Sequence, residues 1–184
     1  WSGYLFYNIL SNKEKQPIIF YAISGLILLT TLAQLAVLFF PIGLYAKLIF
    51  AFFLLLSAMI KWSAFKDLYK RINVEFVSFN RLSTILFFLT WVIILLINAG
   101  PTIMDDTESY HIQSIKWIQE YGSVPGLVNL HERFGFNSSW YSSVALFSFS
   151  TETSGGFTVL NSVLSMWLCY WLISKCDQYQ KENN

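Results

Sequence analysis

Charge is what this sequence has least of. Lys, Arg, Asp and Glu supply 12% of its 184 residues, where a soluble domain carries roughly a quarter. A net charge of +1 says nothing in favour of nucleic acid, and no nucleic-acid partner is expected. Cysteine is equally scarce. Cys169 and Cys176 are the only two, too few for a disulfide framework or a zinc site, and both read as ordinary small side chains. No repeat and no low-complexity tract occurs. The chain opens on Trp1 without a basic stretch and short apolar run, so no signal peptide is expected. That first residue reads as the cut end of a longer protein.

What is present is apolar. Hydrophobic residues make up 55% and aromatic ones 18%, and mean hydropathy is +0.49. The expected class is all-α: a polytopic transmembrane helical bundle, one membrane domain over residues 1–184, held in a lipid bilayer. Four runs suit spans, at about residues 18–40, 42–60, 82–99 and 157–173, against the roughly 20 residues a bilayer requires. The segment 1–10 is too short to cross alone. It reads as the end of an earlier helix or an interfacial piece. Between the first two spans, "FFPIG" makes a tight uncharged turn, because Pro41 and Gly43 break the helix. Lys47 falls near that turn, where its long stem reaches the interface.

Basic residues then give an orientation. Lys13, Lys15, Lys61, Lys66, Lys70, Arg71, Arg81, Lys175 and Lys181 collect on one side, and only Lys116 and Arg133 on the other. The positive-inside rule makes the first side cytoplasmic and the loop 100–156 extracytoplasmic. The tail "KCDQYQKENN" reads as a frayed polar end.

A loop of that length is long for a connection and too rich in Ile, Trp, Tyr and Phe to be disordered. The spacing predicts an amphipathic juxtamembrane helix over 107–121, capped by Asp106 or Thr107. Tyr110, Trp117 and Tyr121 share one side of it, His111, Ile115 and Ile118 the adjoining side. Ser109, Gln113, Lys116 and Glu120 form its polar stripe. Such a helix lies flat on the membrane or against the bundle. Gly122 stops it, a turn-rich clamp follows, and "NSSWYSSVALFSFS" predicts a second short helix capped at Asn137 or Ser138.

The chemistry concentrates where the third span ends: "TIMDDTESYH" places Asp105, Asp106, Glu108 and His111 within seven residues. The structural alternative for the aspartates is a solvated helix cap. The functional one is a carboxylate whose basicity is tuned at the membrane exit. His111, His131, Arg133 and Asn137 add imidazole, guanidinium and amide, a set suited to an anionic substrate. Arg133 has the planar fork that grips phosphate. Glu108 and His111 also spell Glu-x-x-His, but a di-iron site needs a second such motif and two more glutamates on other helices.

"TIMDDTESYH", followed by "IQSIKWIQEYGSVPGLVNLHERFGFNSSW", resembles the GT-C superfamily of integral-membrane glycosyltransferases, which use polyprenyl-phosphate-linked sugars. It also resembles uncharacterised bacterial membrane proteins thought to be GT-C-like. The likeness spans roughly residues 82–173. It implies a transferase that moves sugar from a lipid-linked donor to an extracytoplasmic glycan, lipid or protein acceptor, in the bacterial inner membrane, for cell-envelope polysaccharide biosynthesis. Asp105 or Asp106 would be the general base, or both would hold a divalent cation, Mg or Mn. By chemistry rather than resemblance, Arg133, His111 and His131 would meet the phosphate leaving group, with Glu108 and Asn137 completing the substrate-binding set. Two departures stand out. The family's acidic loop follows its first span, while at least two precede it here. Family members also have about twice as many spans, so this chain is expected to hold part of a site. The rival readings are a polysaccharide polymerase or ligase, a lipid-linked-sugar transporter, and a non-catalytic membrane subunit. Transporters more often carry ionisable groups at the midplane, which these spans largely lack.

Overall fold

The computed structural model describes residues 1–10, 16–100, 106–135, 138–148 and 154–183. Among them the architecture is all-α, with eight helices and no strand: α1 (Ser2–Leu10), α2 (Ile18–Val37), α3 (Leu44–Ile60), α4 (Trp62–Val77), α5 (Arg81–Ala99), α6 (Ile112–Glu120), α7 (Ser139–Phe147) and α8 (Val159–Glu182). The α2, α5 and α8 helices are each long and apolar enough to cross a bilayer. The 17-residue α3 is shorter, and continues into α4 through a 95° bend beside Lys61. Large side chains such as Leu96, Ile97 and Phe53 stand exposed along these rods. In water such a surface would drive aggregation, whereas acyl chains cover it at no cost. The protein is an integral membrane protein.

Helix boundaries follow local chemistry. Pro17 precedes α2, and Gly43 precedes α3. At the start of α5 the Asn80 side chain accepts the Ser83 amide at 2.8 Å, satisfying one of the donors a helix N-terminus leaves free. The Ser138 hydroxyl caps α7 in the same way, accepting from the Trp140 amide at 3.3 Å, so the cap falls on the second of the two candidates. Gly122 ends α6 with φ of +76°, a left-handed conformation that costs glycine little.

Two helix pairs organise the bundle. The α1 helix lies across α2 where Gly3 meets Gly25. A Cβ on Gly3 would stand 2.0 Å from the Tyr21 carbonyl oxygen, so only glycine permits the crossing. Segment 1–10 is therefore a short helix packed across α2. The α5 and α8 helices are pinned at both ends. At one end Asn98 Oδ1 accepts from the Thr158 and Ser162 hydroxyls. At the other, Asp177 accepts from the Asn80 amide and the Ser83 hydroxyl, both at 2.9 Å, and pairs with Lys181. This corrects the reading of the tail. Residues 175–182 continue α8, because burying Asp177 demands that its partners stay in register.

The main core does not sit at mid-membrane. Ala33 and Val37 of α2, Ile42 of the α2–α3 joint, Ile112 and Ile115 of α6, and Val144 and Leu146 of α7 bury one another at the loop end. Backbone bonds lock the same contact: the Ile42 amide donates to Ile118, and the Ser123 amide to Val37, both at 3.0 Å. Lys47, in the first turn of α3, donates to the Ser148 carbonyl at the end of α7, where a cation offsets the helix dipole. The loop thus forms a packed cap seated on the α2–α3 joint. Its helix lies against the bundle, and the buried face carries Ile112, Ser114, Ile115 and Gln119.

Candidate functional site

The cap carries the candidate site at its outer rim. A single wide turn, Thr107–His111, leads into α6. The expected cap role of Asp106 is not what its described contacts show. Its carboxylate pairs with the Arg133 guanidinium at 2.5 Å, across 27 residues of chain, and both side chains remain about half exposed. The same guanidinium lies 5.3 Å above the Tyr110 ring, a cation–π contact that fixes its plane. Tyr110 packs on His111 at 4.2 Å between ring centroids, and His111 on Tyr141 at 5.7 Å. The loop bearing Arg133 is held by a second imidazole, since His131 Nδ1 accepts the Arg133 amide at 3.2 Å.

Behind this rim lies a recess of about 270 Å³ among α2, α6, α7 and the clamp, lined by Gln34, Ser114, Phe134, Tyr141 and Ser142 among others. Ser142 donates to Gln34 at 2.9 Å and Ser143 to Thr30 at 2.8 Å, so these two serines of α7 tie it to α2. Such interhelical bonds contribute on the order of 0.6 kcal/mol each. Burial, with a smaller contribution from Tyr110, pushes the Tyr141 phenol above its ordinary value of 10.0. It stays a neutral donor throughout the physiological range.

The structure therefore brings together Asp106, His111, Arg133 and His131 from the expected set. Asp105 and Asn137 lie outside the described residues. Glu108 falls within the wide turn, but its side chain is not among those described. Among the described residues no group of three His, Cys, Asp or Glu side chains is placed to hold a metal ion. Tyr110 and Tyr141 were not expected as site residues. The "WYSS" run that starts α7 was a faint sign of the second.

The whole chain, residues 1–184, matches the family model described as Domain of unknown function (DUF8201). The chain belongs to this family. No curated protein and no solved structure matches it. The DUF8201 match extends over every element described above, so the cap and its acidic rim lie within the family's domain as much as the spans do.

Chemically, the rim offers a half-exposed guanidinium already oriented by a ring, a carboxylate it neutralises, and two imidazoles. A phosphate arriving there would compete with Asp106 for Arg133, since both anions fit the same fork. Binding the first would release the second.

Proposed function

We propose that this chain is the acidic-loop portion of a membrane glycosyltransferase of GT-C type, which moves a sugar from a polyprenyl-phosphate-linked donor to an extracytoplasmic acceptor. The single observation that carries this reading is the Asp106–Arg133 pair over Tyr110, on a packed cap at the exit of a membrane helix. In the proposed cycle the donor's tail stays in the bilayer and its phosphate draws Arg133 away from Asp106. The freed carboxylate, or Asp105 beside it, takes the proton from the acceptor hydroxyl as that oxygen bonds to the sugar's anomeric carbon. The bond from that carbon to the phosphate oxygen breaks, and the lipid phosphate leaves with its charge met by Arg133. His111 and His131 support that charge. A positioned base of this kind contributes about 10²–10⁴-fold in rate. A divalent cation held by Asp105 and Asp106, Mg or Mn, would serve the same leaving group.

The basic residues favour a loop outside the cytoplasm, and for a bacterial chain the membrane would be the inner one. The test uses membranes carrying the full-length protein, offered a panel of polyprenyl-phosphate-linked radiolabelled sugars. Asp105→Asn and Asp106→Asn are each expected to lower transfer by at least about 100-fold with expression unchanged. Wild-type transfer in both variants overturns the reading.

A further inference from the structure

The opposite end of the molecule holds a second cleft, unrelated to the cap. It lies where the start of α2 meets α4 and the last turns of α8, has a volume of about 280 Å³, and is lined by Gln16, Arg71, Glu75, Trp171, Ser174 and Lys175 among others. Ile19 and Trp171 line it and also line a neighbouring groove of about 270 Å³, otherwise walled by Ile23, Leu164, Trp167 and Leu168. A charged cleft thus runs directly into an apolar channel between two membrane helices. That is the shape of a phospholipid, head in one and chain in the other.

We propose that this composite site binds one anionic glycerophospholipid from the leaflet at the basic end of the chain. Arg71 is built for the phosphate. One guanidinium nitrogen donates to the Gln16 carbonyl at 2.9 Å and another approaches the Tyr21 hydroxyl at 3.3 Å. The group also stacks on the Tyr21 ring at 5.4 Å. These contacts fix its plane and use two of its five N–H donors. Lys175 stands exposed on α8, bonded only to Gln178 at 3.1 Å among its described contacts, and can swing to the same phosphate. Among the described residues that line the cleft the acidic one is Glu75, whose carboxylate accepts the Tyr170 hydroxyl at 2.6 Å, while Asp67, which also attracts Arg71, lies outside the lining and accepts the Tyr4 hydroxyl at 2.7 Å. Within the described lining the cations Arg71 and Lys175 outnumber the carboxylate of Glu75, which favours an anionic head. Trp171 sits where head meets chain, the depth at which indole rings settle.

The test is native mass spectrometry of the full chain released from nanodiscs of equimolar phosphatidylglycerol and phosphatidylcholine. Wild type should retain one phosphatidylglycerol in preference to phosphatidylcholine. Lys175→Gln should weaken that preference about fivefold, the effect of one surface cation on an anionic lipid, and as an exposed position it leaves the fold intact. Ile23→Trp, which fills the apolar groove without touching charge, should also reduce retention. Lys66→Gln, on α4 but outside the cleft, should not. Millimolar glycerol phosphate should displace nothing. Equal retention of both lipids, an equal loss in the Lys66 variant, an unchanged Ile23→Trp, or displacement by glycerol phosphate would each overturn the proposal.

Discussion

Two aspartates at opposite ends of the molecule differ in burial and in how firmly their partners hold them. Asp177 is 2% exposed and accepts from an amide, a hydroxyl and an ammonium, so every lone pair that matters is used. Asp106 is about half exposed and its described partner is Arg133. The first carboxylate cannot move without leaving buried donors empty. The second exchanges its partner at little cost, because an exposed ion pair contributes only about 0–1 kcal/mol. On the proposed function, a carboxylate held so loosely, yet aimed by a stacked guanidinium, is the one that would respond to a ligand.

That contrast can be broken in four ways. The largest effect is expected from Asp177→Ala, which strands the Asn80 amide and the Ser83 hydroxyl in a buried site. About 2–4 kcal/mol of stability should be lost, read as a large drop in melting temperature in detergent. Next comes Asn98→Leu at the other end of the α5–α8 pair. It removes the acceptor for Thr158 and Ser162, and about 1–3 kcal/mol is expected by the same measurement. If Asn98→Leu costs more than Asp177→Ala, the ranking by burial fails. Asp106→Asn should cost less than about 1 kcal/mol, since its pair is solvated. Smallest of all is a pH effect at Tyr141. Its folded-state pKa is raised, so the stability it contributes is present below pH 10 and declines as pH rises through that region. Tyr141→Phe should flatten this alkaline decline in a thermal-shift series.

Much of this fold was legible in the sequence, and the reason is the bilayer. Apolar runs of the required length give α5 to within a residue and the starts of α2 and α8 to within two, while α8 runs nine residues past the expected end, and Gly122 and Ser138 marked the ends of the loop helices through local backbone chemistry. What was hidden depends on distant partners. Glycines 3 and 25 look unremarkable until one helix crosses another. Asp177 sits in a polar tail that reads as frayed, and only the α5 cap 97 residues earlier explains its burial. The basic segment 62–77 showed its charge but not its helix, because half its residues are polar. At the rim, residue types pointed to Asp106, His111, His131 and Arg133 together. The pairing of Asp106 with Arg133 came from a turn-rich clamp whose path no periodicity predicts.

Exchanging the two charges measures the central claim most directly. In the double variant Asp106→Arg with Arg133→Asp, the ion pair is retained with its polarity reversed. If the rim acts on a lipid-phosphate sugar, stability should stay within about 1 kcal/mol of wild type, while sugar transfer by the full-length protein in membranes is absent. Retention of transfer along with stability would mean that the pair is only a pin holding the clamp to α6, and a catalytic role for this rim would be contradicted.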